Sequence, residues 1–131
     1  MTVEYFLKKF SNLYPKSIDL SLDRIKILLN KLGNPEKKLP PVIHVAGTNG
    51  KGSTVSFLKN IFSHSGLKVQ TYTSPHLISF NERIRLADGL IKDDFLIDIL
   101  KECNFYNKDE KISFFEITTA AAFLAFSKSK G

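Results

Sequence analysis

One cysteine is all the thiol that the 131 residues contain. Cys103 has no partner for an internal disulfide, and a lone thiol fits a reducing compartment. No base stands near it in sequence to make it a nucleophile, and no Cys/His spacing of the zinc-site kind occurs. No stretch reaches the ~18 consecutive apolar residues of a membrane span. The first ten residues carry Glu4, Lys8 and Lys9 and lack the apolar segment of a secretory leader, so a cytoplasmic protein is expected. Acidic residues are outnumbered, which leaves a net charge of +6. The basic residues are scattered, without the aromatic-interleaved patch of a nucleic-acid binder, so nucleic acid is not an expected partner. The same balance suits an enzyme that handles nucleotide phosphates and a polyanionic substrate, or plain solubility.

What the sequence does have is one dense stretch. Val42, Ile43, His44, Val45 and Ala46 form a short apolar run of strand type. Gly47, Thr48, Asn49, Gly50, Lys51, Gly52 and Ser53 follow as a Gly-rich turn with a lysine and a hydroxyl, and a helical pattern begins at once. Strand, glycine turn, lysine, hydroxyl and helix is the order that builds a phosphate cradle. Glycines let backbone N–H groups converge on phosphate oxygens, the helix N-terminus adds positive potential, and Lys51 adds a full charge. Ser53 is placed to ligate the Mg²⁺ that accompanies a nucleotide. The match to G-x-x-x-x-G-K-[ST] is imperfect, because Val45 stands where the first glycine belongs and Gly52 separates Lys51 from Ser53. The plain alternative is a tight strand-to-helix turn with an exposed lysine. Three glycines and a lysine within six residues exceed what such a turn requires.

The variant spacing resembles the phosphate-binding loop of the folylpolyglutamate synthase and dihydrofolate synthase family, and less closely that of the Mur ligases. Gly52 and Ser53 after the lysine fit the folate branch. A second motif of that family lies downstream in Tyr72, Thr73, Ser74, Pro75, His76 and Leu77, then Asn81, Glu82, Arg83, Ile84 and Arg85. The resemblance implies an α/β fold: a P-loop-containing, Mur-ligase-like central domain with an incomplete parallel sheet flanked by helices. Residues 1–131 would be the amino-terminal part of that ATP-binding domain, with the C-terminal glutamate-ligase domain absent. It also implies ATP and Mg²⁺, a folate or dihydropteroate, and L-glutamate as ligands, and a monomer in full-length members. ATP would phosphorylate the folate carboxylate, and the glutamate amine would displace phosphate from the acyl phosphate.

Taken in order, Val3, Phe6, Leu7, Phe10 and Leu13 recur at helical spacing and predict a helix over residues 2–13. Leu22, Ile25, Leu28, Leu29 and Leu32 predict a second, capped by Ser21 or Asp19 and stopped by Gly33, Asn34 and Pro35. Between them, Ile18, Asp19 and Leu20 read as loop and helix start; the resemblance implies pterin contacts there. Residues 42–46 are apolar enough for a buried parallel strand, with His44 as a satisfied core or strand-end histidine. Residues 51–64 form the next helix, with Val55, Leu58, Ile61 and Phe62 as its core face and Ser65-Gly66 closing it. Residues 68–73 complete a right-handed βαβ unit. The loop of residues 74–80 then lies at the carboxyl edge of the sheet, where open α/β sheets place ligands. The resemblance gives Ser74, Pro75 and His76 to the folate site and Ser74 also to Mg²⁺.

Asp88-Gly89 between short apolar runs predicts a surface β-hairpin. Asp93 should cap a helix whose inner face is Phe95, Leu96, Ile99, Leu100 and Cys103, with a polar loop over residues 104–111. The segment 113–126 is apolar nearly all round, so it should be a buried helix. Glu116 is its one charge. Ser113-x-x-Glu116 reads as a capping box, while the resemblance makes Glu116 a Mg²⁺ ligand. Lys51 and Glu116 are thus the candidate catalytic residues, and Ser53, Ser74 and Glu116 the candidate metal ligands. In a full-length member a further strand, a Gly-rich segment and more metal ligands would follow. Two rival readings stand beside the ligase: a Mur-type peptide ligase fragment, and a nucleotide-binding remnant without catalysis.

Overall fold

The computed structural model describes residues 2–13, 21–47 and 49–129. The first helix, α1 (Val3–Ser11), starts where Thr2 Oγ1 accepts the Tyr5 N–H at 3.2 Å, and it buries Val3, Phe6 and Phe10. Helix α2 (Asp23–Lys31) begins beside Ser21, whose hydroxyl accepts the Asp23 N–H at 3.0 Å, and it buries Leu28 and Leu29. Gly33 and Asn34 take positive φ values of 89° and 55° and stop it, and a single 3₁₀ turn follows over Pro35–Lys38. Helix α3 (Lys51–His64) ends at Ser65, with Gly66 at φ 87° and a Leu67 N–H to Phe62 carbonyl bond of 3.1 Å closing its C-terminus.

Strands β1 (Thr71–Tyr72), β2 (Ile84–Leu86) and β3 (Gly89–Leu90) form one antiparallel sheet in that order. Thr71 faces Arg85 and Tyr72 faces Ile84, while Arg85 faces Leu90 across the hairpin. The turn uses Gly89 at φ 135°, a backbone that a side chain would strain. Helix α4 (Asp93–Asn107) starts one residue after its cap Lys92, so Asp93 is the first helical residue and not the cap. It runs through much of the expected polar loop. Helix α5 (Phe114–Ser129) is the centre of the molecule. Ile117, Thr118, Ala120, Ala121, Ala122, Leu124, Ala125 and Phe126 are all buried on it. It packs against α4, α2, α1 and the 35–38 turn, and it touches β2. Its alanines let these neighbours approach closely on several sides. The Thr118 hydroxyl donates to the Phe114 carbonyl at 2.8 Å, so its burial leaves no bond unmade.

The sheet departs from the expected one. Residues 42–46 belong to no strand, and Val42 is 71% exposed. A parallel strand needs a neighbour to take its N–H and C=O groups. The expected neighbour, residues 68–73, instead gives its paired residues to an antiparallel ladder with β2. The parallel βαβ unit is therefore not formed among the described residues, and the hairpin expected as an excursion supplies two strands of the sheet. His44 is exposed with its segment. Helix α3 follows suit: its expected core face is at most half-buried, and Phe57 is 68% exposed. Among the described residues no helix is long and apolar enough to cross a membrane.

Candidate functional site

The Gly-rich turn meets α3 through backbone conformation alone. Gly50 is left-handed at φ 75° and Gly47 stands at φ 147°, both glycine conformations. Among the described residues no side chain caps the helix, and its first turn carries no acidic residue. The helical ladder begins with the Thr54 N–H to the Gly50 carbonyl at 3.0 Å. The N–H groups of Lys51, Gly52 and Ser53 thus precede the ladder and point out of the helix end. Lys51, Gly52 and Ser53 are exposed, and a Cβ placed on Gly50 or Gly52 would meet nothing within 4 Å. The result is an open, positively polarised helix end with a lysine on it, able to receive an oxyanion. Thr48 lies outside the described residues, as do Ile18, Asp19 and Leu20.

A second group of candidates sits on the loop between β1 and the 3₁₀ turn Phe80–Arg83. Ser74 and Pro75 are exposed and His76 is half-buried. Arg83 Nε donates to His76 Nδ1 at 2.8 Å, which leaves the imidazole proton of the neutral ring on Nε2. The same guanidinium lies over the Phe80 ring at 5.2 Å and the Phe114 ring at 5.9 Å. The His76 and Phe80 rings meet edge-on at 5.9 Å. Glu82 turns back to accept the N–H groups of Leu77, Ile78 and Ser79 at 2.9, 2.8 and 2.8 Å. Those bonds, Ser79 first and then Leu77 and Ile78, hold its carboxyl below the usual range against a lesser desolvation.

Phe114 belongs to the first turn of α5, two residues before Glu116. Arg83, Phe80 and Phe114 therefore tie the 74–79 loop to the Glu116 end of α5. Glu116 forms the expected capping box: its Oε1 accepts the Ser113 N–H at 2.9 Å, and the Glu116 N–H bonds the Ser113 hydroxyl at 3.1 Å. It also pairs with Arg24 of α2, Nε to Oε1 at 2.9 Å and Nη2 to Oε2 at 3.3 Å. Desolvation raises its pKa, but the Ser113 and Arg24 bonds outweigh it, and the carboxyl ends below the usual range.

Ser53, Ser74 and Glu116 offer hydroxyl and carboxylate oxygens, the hard donors that suit Mg²⁺. Among the described residues no three His, Cys, Asp or Glu side chains gather as a metal cluster, and no hydrogen bond joins these three to one another. Among the described residues Glu116 Oε2 accepts the longer Arg24 bond alone and keeps one lone pair, so it can take a cation at the edge of its ion pair. Cys103 is buried, and burial followed by the nearby Glu102 pushes its thiol pKa up, away from nucleophilic use.

Sequence reasoning gave no role to Arg24, Glu82, Arg83 or Phe114. Ser79-x-x-Glu82 is a capping-box signature readable in the sequence. Arg24 carries no such signal, since its partner is 92 residues away.

No family model matches the chain. Over 113 residues it is 43% identical to a dihydrofolate synthase/folylpolyglutamate synthase of Bacillus subtilis, an alignment covering 82% of this chain and 26% of that protein. Against the Escherichia coli protein of the same name it is 34% identical over 125 residues, 95% of this chain and 29% of the relative. The structure of E. coli FolC in complex with DHPP and ADP superposes with a TM-score of 0.89 at 34% identity, over 98% of this chain and 31% of that one. A bifunctional folylpolyglutamate synthase/dihydrofolate synthase from Yersinia pestis, complexed with AMPPNP and Mn ion, gives 0.90 at 30% identity, over 99% and 32%. The chain thus spans between a quarter and a third of the length of these four relatives.

Proposed function

We propose, from a chain that belongs to the dihydrofolate synthase/folylpolyglutamate synthase family, that it carries the phosphate-binding and folate-facing parts of an ATP-dependent ligase. The reaction would join L-glutamate to a folate, or to dihydropteroate, through an acyl phosphate, in the cytoplasm. In domain terms the chain is the amino-terminal part of the ATP-binding unit. The observation that carries the reading is the left-handed Gly50 opening a fourteen-residue helix on Lys51, with the helix end uncapped and open.

In this reading the N–H groups of residues 49–53 hold the β- and γ-phosphates, and Lys51 offsets the charge that gathers there during transfer. Ser53, Ser74 and Glu116 would hold Mg²⁺, which supplies Lewis-acid neutralisation of the phosphate oxygens. Residues 74–76, with Ile18, Asp19 and Leu20, would hold the pterin ring of the substrate so that the carboxylate at the substrate's other end meets the γ-phosphate. His76 Nε2–H is free to donate to a ligand acceptor, because Arg83 occupies Nδ1. Arg24 keeps Glu116 ionised and aimed from the α5 N-terminus. Positioning and electrostatics are the whole of the protein's part, as in other phosphoryl transfers.

A binding panel tests the substrate class. The chain is titrated with dihydropteroate, a reduced folate and a UDP-linked peptidoglycan precursor, each with ATP and Mg²⁺. Binding of the pterin ligands alone is expected. Binding of the peptidoglycan precursor alone would move the chain to the Mur-type reading.

A further inference from the structure

The Glu82 carboxylate does more than its capping box requires. A box at the start of the Phe80–Arg83 turn needs one backbone donor, the Ser79 N–H. Two further donors, Leu77 and Ile78, lie upstream of the cap and belong to no helix. Their side chains are 93% and 92% exposed, so no packing of their own holds that backbone in place. The next residue, Arg83, fixes the His76 ring and is itself seated on Phe80 and Phe114. Two adjacent side chains therefore hold the loop in different ways, one through its backbone and one through its imidazole.

We propose that Glu82 is a positioning residue for ligand binding: by gathering the N–H groups of Leu77, Ile78 and Ser79 on one carboxylate, it fixes the turn that sets where Ser74 and His76 meet the pterin-bearing substrate. The proposal rests on the assignment of residues 74–76 to that substrate. Three charge-assisted bonds on one acceptor hold residues 77–79 against the Phe80–Arg83 turn. Glu82→Gln keeps the size but leaves a single acceptor oxygen and turns an amide donor toward the gathered N–H groups, so the turn opens. Glu82→Asp keeps the charge and both oxygens and retains part of the restraint.

The test is made on the 131-residue chain, labelled with ¹⁵N. The Leu77, Ile78 and Ser79 amides are expected to exchange slowly and to share one titration midpoint, below the ordinary glutamate range. His76 is the other titratable group that acts on this carboxylate, and its ring protons are followed separately. In Glu82→Gln the shared titration disappears and exchange quickens, while amides of α1, α4 and α5 are unmoved. Pteroic acid is the binding probe: Glu82→Gln weakens it about tenfold, and Glu82→Asp recovers part of the loss. Nucleotide affinity at the Lys51 turn stays as in the parent chain. Fast exchange of the three amides in the parent chain would overturn the clamp. Slow exchange with unchanged pteroate affinity in Glu82→Gln would overturn the positioning role. A parent chain that keeps the clamp but takes no pteroate would instead refute the assignment of the loop to the substrate, and the positioning role with it.

Discussion

Glu116 joins two demands in one side chain. It caps α5 through Ser113 and pairs with Arg24, with little solvent around either charge. Glu116→Gln keeps the shape but removes the charge that both partners use, and it should cost roughly 1–3 kcal/mol in urea unfolding at neutral pH. Its folded pKa is depressed, so this stabilisation is present above the ordinary glutamate range and fades as pH falls through the lower folded value. The stability gap between parent and variant should close in that acidic window. A gap that stays constant to low pH would mean that the ionised carboxylate contributes nothing. The box was legible in the sequence because Ser113 and Glu116 are three residues apart. The Arg24 pair was not, because only tertiary packing brings α2 beside α5. For the same reason Glu82 stood in a recognised motif without a role: its bonds depend on a loop path that no periodicity encodes.

Elements whose signals are local came out as read. The spacing of Val3, Phe6 and Phe10 gave α1, Ser65-Gly66 closed α3, and Asp88-Gly89 turned the hairpin. The failure at residues 42–46 has a plain cause. Apolar composition says that a segment is buried in some setting, while a strand is made by its neighbour. The glycines of the turn allow a sharp contrast at this scale. Gly50→Ala forces a side chain into a left-handed backbone at about 1–2 kcal/mol locally and should lower nucleotide affinity. Gly52→Ala puts a better helix former inside α3, where its Cβ meets nothing within 4 Å. Helix stability should rise by about 0.5–1 kcal/mol. Its ATP affinity should nevertheless fall if phosphate approaches the backbone there. Amide exchange along α3 and equilibrium ATP binding read the two effects separately; unchanged affinity in both variants would remove the glycines from the site.

At the scale of the whole molecule, a well-packed core around α5 coexists with large apolar side chains left exposed. Val42, Ile43, Phe57 and Ile61 are all exposed, in the segments that precede and follow the proposed phosphate-binding turn. Surface of that kind promotes association. The chain should therefore self-associate at high concentration, and Phe57→Lys should reduce this in sedimentation velocity without lowering the melting temperature. In the proposed reading, the acceptor glutamate and further metal ligands come from length that the relatives have beyond their match to this chain. The chain with ATP, Mg²⁺, L-glutamate and a reduced folate is then expected to release no glutamylated product. Steady turnover abolished by Lys51→Ala would contradict that. Phosphate recognition by the turn before α3 is reported directly by amide chemical shifts. Titration of the labelled chain with ATP and Mg²⁺ should move the amides of Asn49, Gly50, Lys51, Gly52 and Ser53 first and furthest, with the response lost in Lys51→Ala. Saturating ATP that leaves these amides unmoved, or moves them equally in Lys51→Ala, would contradict it.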